Sequence, residues 1–323
     1  MRSTRLSLSL ATTAALIMSA GTVAANADEI VAIYKSGTQQ YFIDQANGFV
    51  AAAEELGFTA RTINVELDAN LAISAISDAI AGGADAIAIT APDQALGPAI
   101  AAAAAEAGIP VIATDDPLED GDGNPVPFAG FDGTAMGTKV GERAGELLAA
   151  SGWLDGATYG ILSVEVQTLS VCNDRTNAAR EQVLAAGADE ANIYAVAYEG
   201  TADTSLAAAG PVITAHPQVD KWVVFACNDE GVLGANNALA NAGFAPDDII
   251  AVGLGAYEAC RPWEAGIDTA FKAALYISGV DVGDAAARAL INSVTTGEAL
   301  PLQTVANTTI VDPSNYADIM PCN

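Results

Sequence analysis

Short apolar segments rich in β-branched residues alternate along this chain with longer segments that are apolar at helical spacing. In the first half the strand-like segments are Ile30–Tyr34, Ala60–Val65, Ala86–Thr90 and Val111–Thr114. The helix-like segments between them are Phe42–Leu56, Leu71–Ala81 and Leu96–Ala107. Apolar strands that alternate with helices are typical of βαβ units, in which helices cover both faces of a parallel sheet. The first half is therefore predicted to be a doubly wound α/β lobe.

The same alternation starts again in the second half of the chain. Strands are predicted at Tyr159–Val164, Ile193–Tyr198, Trp222–Ala226 and Ile249–Val252. Helices are predicted near Arg175–Ala186, Ser205–His216 and Glu230–Ala242. A length of 323 residues also favours two lobes, because single hydrophobic cores stop growing at about 250–300 residues. We therefore predict two doubly wound parallel-sheet lobes of similar build.

Three segments near the C-terminus complicate a simple tandem of lobes. Thr269–Leu275 and Thr304–Val311 are predicted to be extended, and Val282–Thr295 to be helical. If the chain returned to the first lobe after Leu275 and crossed again near Thr304, three segments would join the lobes and act as a hinge. The predicted division is then 28–131 plus 278–304 for the first lobe, and 132–277 plus 305–323 for the second.

The first 27 residues have the organisation of an export signal. Arg2 and Arg5 precede an apolar stretch, Leu6–Met18, and Ala25-Asn26-Ala27 fits a small-x-small cleavage site. The apolar stretch is too short to cross a bilayer, which needs about 20 residues, and no second run of that length follows. We therefore expect a mature chain that begins at Asp28, is exported without membrane insertion, and has no lipid-bearing cysteine. A freely diffusing exported protein needs an outer barrier to retain it, which favours a periplasmic location.

The charge of the chain restricts its partners. It contains 12 Lys and Arg against 40 Asp and Glu, which gives a formal net charge of −28. Nucleic-acid affinity depends on basic side chains that meet phosphates, and an anionic membrane surface repels an acidic chain. Neither partner is expected, and we interpret the excess of acid as a solubility property of the surface.

Four cysteines in an exported chain are typical of disulfides. No CxxC motif occurs and His216 is the only histidine, which argues against a zinc site. Of the three possible pairings we favour Cys172–Cys227 with Cys260–Cys322. The first would join neighbouring strand ends and the second would fix the C-terminus. Buried free thiols are the alternative.

Polar residues in the first half follow the predicted strands at their carboxyl ends, where open α/β sheets bind ligands. Lys35 follows the first strand, and the pair Asp115-Asp116 follows the fourth. Tyr41 and Phe42 lie close to Lys35 and could stack on the apolar face of a sugar ring. The alternatives are a turn or helix cap for the aspartates and ordinary packing for the aromatic pair.

The second half repeats this arrangement. Asn228 and Asp229 end the third strand, Gly255 ends the fourth, and Arg175 is placed at the start of the helix after the first strand. Carboxylate and amide oxygens accept hydroxyl protons, while Lys and Arg donate to sugar oxygens. This mixture suits a polyhydroxylated ligand. For Arg175, a salt bridge on a solvated helix is the alternative.

No catalytic motif accompanies these residues. The chain has no GxSxG elbow, no P-loop and no GxGxxG after a strand. The run Asp120–Asn124 begins like a calcium loop, but the twelfth position holds Phe131 rather than glutamate, so we predict a polar hairpin loop. We therefore expect that the chain is not an enzyme and uses neither a metal nor a cofactor.

Seven stretches, in order across nearly the whole mature chain, resemble the L-arabinose-binding protein family of the pentose- and hexose-binding periplasmic proteins. They are Ile33–Lys35, Thr90–Asp93 with Leu96-Gly97, Val111–Asp116, Thr138–Arg143, His216–Val219 with Trp222, Cys227–Asp229 with Val232–Gly234, and Ile249–Gly253. The resemblance implies the type I periplasmic binding fold, with two lobes, three crossing segments and a sugar enclosed when the hinge closes.

The resemblance also implies roles for individual residues. Lys35 would donate to ring hydroxyls, and Asp115 or Asp116 would accept from the anomeric hydroxyl. Arg175 would reach the ring oxygen and a neighbouring hydroxyl, and Asn228 would bind another. Four further positions match aromatic or apolar contacts of the family: Tyr41, Phe42, Leu169 and Cys227.

Four positions depart from the family pattern. Gln39 stands where the arabinose binder has a glutamate, Tyr41 replaces a tryptophan and Val171 replaces a threonine. Gly255 occupies the place of an asparagine that hydrogen-bonds the sugar. The departures lie along one edge of the site, so a pentose or similar aldose is implied more firmly than L-arabinose.

The resulting hypothesis is a monomeric periplasmic solute-binding protein that captures an aldose for an ABC importer. L-arabinose, a related pentose or a galactose-like sugar would be the ligand, and a permease in the inner membrane would be the partner. The alternative is a periplasmic sensor that presents the sugar to a chemoreceptor or receptor kinase with the same fold and cleft. A sugar-responsive repressor is disfavoured, because an export signal stands where a basic helix-turn-helix would be needed.

Overall fold

The computed structural model describes residues 28–322, so the expected export signal, residues 1–27, lies outside the described residues. The strands are β1 (Glu29–Tyr34), β2 (Thr59–Asn64), β3 (Ala86–Ile89), β4 (Val111–Thr114), β5 (Phe128–Gly130), β6 (Tyr159–Glu165), β7 (Ile193–Ala197), β8 (Lys221–Ala226), β9 (Ile249–Gly255), β10 (Phe271–Ile277), β11 (Gln303–Val305) and β12 (Thr308–Val311). The helices are α1 (Gln40–Glu55), α2 (Ala69–Ala81), α3 (Gly97–Ala107), α4 (Gly133–Ser151), α5 (Ser170–Ala185), α6 (Ala202–Ala215), α7 (Asp229–Asn241), α8 (Tyr257–Glu264), α9 (Gly279–Thr296) and α10 (Tyr316–Ile319).

The strands form two six-stranded sheets with the same topology. The first has the order β2-β1-β3-β4-β5-β11, and the second has the order β7-β6-β8-β9-β10-β12. Neighbouring strands are parallel, except that β12 runs antiparallel to β10. In each sheet the strand order reverses beside the first strand of the lobe, which is the doubly wound arrangement. The predicted fold class is confirmed.

Helices cover both faces of each sheet, which explains why the strands are apolar along their whole length. In the first lobe Ile30 and Ala32 pack against α1 and α9, while Val31 and Ile33 pack against α2 and α3. In the second lobe α4 and α5 cover one face of the sheet, and α6 and α7 cover the other. Burial of alternate side chains on opposite faces is the main stabilising contribution in such a layered unit.

Three short connections join the two lobes. Phe131-Asp132 lies between β5 and α4, Ser278 between β10 and α9, and Ala306-Asn307 between β11 and β12. The prediction of one extended run at Thr304–Val311 is wrong, because β11 pairs with β5 in the first sheet whereas β12 pairs with β10 in the second. The first sheet includes Val305, one residue beyond the boundary expected at 304.

Helix α4 was not identified from the sequence. Its packing against α5 fixes the position of Arg175, a candidate ligand-binding residue. Its glycines at four-residue spacing hide the apolar pattern but allow a close approach to α5: a Cβ on Gly137 would lie 2.0 Å from the carbonyl oxygen of Arg175. Helix α5 begins at Ser170 rather than at Arg175, so the prediction that Arg175 starts the helix is wrong. Arg175 instead lies in the second turn, where the α4 contact holds its backbone. The short strand β5 and helix α8 were also missed.

Both favoured cysteine pairings are present as disulfides. The Cα atoms of Cys172 and Cys227 are 4.9 Å apart, and those of Cys260 and Cys322 are 5.8 Å apart. The reasoning for the first pair was partly wrong, because Cys172 lies in the first turn of α5 rather than at a strand end. Cys227 does follow β8 directly, so this bond ties α5 to the carboxyl edge of the second sheet.

Candidate ligand-binding site

A cavity of about 460 Å³ lies between the lobes, where the carboxyl ends of the strands of both sheets meet. This volume falls in the range of small-molecule sites. All eleven residues singled out from the sequence line its walls: Lys35, Gln39, Tyr41, Phe42, Asp115, Asp116, Leu169, Arg175, Cys227, Asn228 and Gly255. Since they come from both lobes, a ligand here would contact both.

The first lobe contributes a buried cluster of charges. Lys35 follows β1 and forms an ion pair with Asp116, and its Nζ lies 3.8 Å from Oδ2 of Asp115. The same Nζ is 5.1 Å from the centre of the Phe42 ring. The topology explains this cluster, because β3 alone separates β1 from β4 in the sheet. One lysine therefore neutralises part of the charge of two buried carboxylates.

Asp115 has an unusual backbone conformation. Its φ of 60° lies in the left-handed region, which non-glycine residues seldom occupy and which is concentrated at functional sites. Burial, followed by the negative charge of Asp116, raises the pKa of Asp115, while Arg175 and Lys35 oppose this rise. Its Oδ1 is buried without a hydrogen-bond partner among the described residues. The carboxylate therefore retains an acceptor for a ligand hydroxyl.

Arg175 is the main cationic group of the second lobe in this cavity. It is buried, its Nη1 donates to the carbonyl oxygen of Cys227 at 3.2 Å, and its Nη2 lies 3.8 Å from Oδ1 of Asp115. Its Nε and Nη2 have no hydrogen-bond partner in the part of the chain that the structure describes. An unmet buried donor costs about 1–3 kcal/mol, so these groups favour a ligand with oxygen acceptors.

The side chain of Asn228 is used mainly within the protein. Its Oδ1 accepts from the Tyr198 hydroxyl at 2.5 Å and from the Gly231 amide at 2.9 Å, while its Nδ2 donates to the carbonyl oxygen of Gly200 at 3.0 Å. Gln39 of the first lobe donates to the same carbonyl at 3.2 Å. Asn228 thus caps α7 and retains one Nδ2 hydrogen for a ligand.

Aromatic rings form the apolar wall of the cavity. Tyr41 and Phe42 meet edge to face with their centres 4.9 Å apart, and Tyr257 of the second lobe lies 6.3 Å from Tyr41. The Tyr257 hydroxyl donates to the carbonyl oxygen of Ile277 at 3.2 Å and accepts from the Gly279 amide at 3.3 Å. Tyr257 therefore contacts both the cavity and the connection at residue 278.

Sequence reasoning missed Tyr198, Glu230 and Tyr257 as cavity residues. Tyr198 directly follows β7, and Tyr257 lies two residues beyond the end of β9. The rule that ligands bind at strand ends was therefore a signal for both. Glu230 is the second residue of α7, and nothing in its spacing indicates whether it faces the cavity or solvent.

The structure gives a reason for the glycine at position 255. Its φ is 137°, which disfavours any L side chain, and a Cβ there would lie 3.3 Å from Cγ of Asp229. Oδ2 of Asp229 in turn accepts from the Glu258 amide at 3.0 Å. Asp229 thus fills the space beside Gly255 and caps α8, so an asparagine at 255 would be strained.

The stability of the protein is expected to fall as pH rises through the titration of Asp229. Burial raises the pKa of this carboxyl to about 7, above the ordinary 3.8. Between these values the folded state holds a proton that the unfolded state has lost. The contribution is therefore fully present below about pH 4 and is lost as pH rises through about 7. Urea unfolding of wild type and Asp229→Asn between pH 4 and 8 measures it. Equal slopes in the two proteins would contradict the assignment.

Within residues 28–322 no group of three or more His, Cys, Asp and Glu side chains is placed to hold a metal ion. No helix in the same range is long and apolar enough to span a membrane.

The fold and the cavity define the class as a two-lobed solute-binding protein, in which both lobes contact an enclosed ligand. The model of the periplasmic binding protein domain matches residues 30–299. The chain belongs to the periplasmic binding protein family.

Two relatives and one solved structure are similar to this chain over most of its length. The ABC transporter L-arabinose-binding periplasmic protein of Azospirillum brasilense is 31% identical over 88% of this chain and 86% of its own length. The L-arabinose-binding periplasmic protein of Escherichia coli is 30% identical over 69% of each chain. The crystal structure of an ABC transporter solute-binding protein from Mycobacterium smegmatis with bound glycerol is 25% identical, covers 91% of this chain and 96% of its own, and has a TM-score of 0.74.

Proposed function

We propose that this protein captures a monosaccharide, an aldose such as L-arabinose or a related pentose or galactose-like sugar, for an ABC importer. One observation carries the proposal. Buried polar atoms without a hydrogen-bond partner among the described residues, Oδ1 of Asp115 and two guanidinium nitrogens of Arg175, are presented from opposite lobes to one cavity. A sugar supplies both hydroxyl donors and ring or hydroxyl acceptors. Tyr41 and Phe42 provide an apolar surface for its C–H face.

Hinge closure gives the mechanism of capture. We propose that residues 28–131 with 278–305 move as one body and 132–277 with 306–322 as the other, about the three connections. Across the cleft Nη2 of Arg175 approaches Oδ1 of Asp115, and the Ser170 amide donates to Oε1 of Gln94 at 2.7 Å. A ligand that bonds both lobes has a higher affinity for the closed state and shifts the population towards it.

The relatives named above support a periplasmic location and a transport role for the proposal. Both names state a periplasmic location, and the name of the Azospirillum brasilense protein also states an ABC transporter. The first 27 residues have the pattern of an export signal. The closed, sugar-loaded monomer would dock on a membrane permease whose ATPase partner supplies the energy. We expect no turnover of a bound sugar, since the charges in the cavity serve hydrogen bonding.

Thermal unfolding of the mature chain with a panel of aldoses, polyols and amino acids tests the proposal. A ligand that binds only the folded form stabilises it by about 2.7 kcal/mol at 100 times its dissociation constant. We expect L-arabinose, D-galactose or a close relative to raise the midpoint by about 5 °C or more. If all sugars leave the midpoint unchanged while an amino acid raises it, the sugar assignment is wrong.

A further inference from the structure

Glu230 lines the cavity, but none of the contacts described above involves its side chain. It is half-buried, lies in the first turn of α7, and borders the cavity beside Asn228 and Asp229. Its carboxyl group forms no hydrogen bond or ion pair with any other residue in the part of the chain that the structure describes. An acid that lines a binding cavity without such a partner is a candidate ligand contact.

The surroundings of Glu230 disfavour its negative charge. Asp229 precedes it, and the charge of Glu258 also raises its pKa. Nη1 of Arg261 forms an ion pair with Oε1 of Glu258 at 3.0 Å. Lys35, which pairs with Asp116, lowers the pKa of Glu230, but by less than burial and Asp229 raise it. Burial, followed by the charge of Asp229, raises the pKa of Glu230 to about 8. At neutral pH this shift favours the protonated carboxyl group, which has one donor and one acceptor.

Several other residues of the cavity lack the hydrogen-bonding capacity that a protonated Glu230 would supply. Asn228 uses its oxygen on Tyr198 and Gly231, and Gly255 has no side chain. The arginine and lysine offer only donors. A neutral carboxyl group is different, because it can donate to one hydroxyl and accept from the next.

We propose that Glu230 is a specificity-determining residue that binds two adjacent hydroxyls of the ligand through the donor and the acceptor of its carboxyl group. The site then selects sugars with a free vicinal diol on the side that faces α7. The inference rests on the proposed function, since it assumes a hydroxylated ligand in this cavity.

Calorimetric titration with the tightest sugar of the thermal panel tests the role of Glu230. We expect Glu230→Ala to weaken binding by about 10-fold or more, and Glu230→Gln, which keeps a donor and an acceptor, to stay within about 3-fold of wild type at pH 7. Glu181→Gln is the matched control, because Glu181 is exposed on α5 outside the cavity lining, and it should leave affinity unchanged. Deoxy sugars that lack either hydroxyl should lose about 10-fold on wild type and little on Glu230→Ala.

The pH dependence of binding gives a second, independent readout. Because only the protonated carboxyl can donate, affinity should fall about 10-fold between pH 7 and 9 in wild type and stay level in Glu230→Gln. The other titratable and charged groups around Glu230 are Asp229, Glu258, Glu199, Tyr198, Lys35 and Arg175. A fall in affinity that persists in Glu230→Gln would assign the titration to one of them and overturn the inference. Unchanged affinity in Glu230→Ala would overturn it as well. Failure of wild type to bind any sugar would instead reject the proposed function.

Discussion

Substitution of Arg175 with alanine is expected to weaken sugar binding by at least about 100-fold. Two guanidinium nitrogens of this buried side chain have no hydrogen-bond partner among the described residues, so a bound sugar would accept charge-assisted hydrogen bonds from them. Each such bond contributes about 1.5–3 kcal/mol, and 2.7 kcal/mol corresponds to about 100-fold in affinity. The variant also loses the group that faces Asp115 across the cleft. Calorimetric titration measures the loss directly.

The same helix offers a matched control. Arg180 pairs with Glu190 at 2.8 Å on the exposed side of α5, so Arg180→Ala removes an equal charge outside the cavity lining. An exposed pair contributes about 0–1 kcal/mol to stability, and we expect sugar affinity to remain within about 2-fold of wild type. If Arg175→Ala binds the sugar as tightly as this control does, the ligand does not occupy the cavity between the lobes.

Replacement of Lys35 with methionine is expected to lower the free energy of unfolding by about 3 kcal/mol near neutral pH. The side chains of Lys35, Asp115 and Asp116 are 10%, 6% and 2% exposed, so the change removes a cation from two carboxylates that water scarcely reaches. Methionine has a similar length and fills the same space, which limits the effect to the lost charge. Urea unfolding of the ligand-free protein measures the change.

The loss should shrink as the pH is lowered. Asp115 has a raised pKa, Lys35 is one of the groups that opposes this rise, and its removal raises the pKa further. A carboxyl group with a raised folded-state pKa is protonated in the folded state first, so acid relieves the unpaired charge and stability recovers. The matched control is Lys221→Met, whose pair with Asp248 at 2.5 Å is partly exposed and should cost at most about 1 kcal/mol. Equal losses in both variants would show that the buried cluster does not depend on Lys35.

Much of the candidate site could be predicted because a parallel sheet brings the carboxyl ends of its strands to one edge. Lys35 and Asp115 were placed together from their positions after two strands, and Arg175 and Asn228 from positions in the second repeat. Glu230 was not found, because the first turn of a helix can present a side chain to the ligand or to solvent. The sequence also gave no sign that Tyr198 would occupy the oxygen of Asn228, since this bond joins the ends of two strands separated by β6.

By itself the sequence determined the class of fold, the number of lobes and the polar character of the cleft. These properties depend on local periodicity and on the order of strands and helices, which are read along the chain. The tertiary structure decided how α4 and its glycines hold Arg175, why position 255 requires glycine, and which buried atoms remain unpaired. It also divided the last extended segment between two sheets. Each of these depends on distances between residues far apart in the chain, because packing and hydrogen bonding act through space.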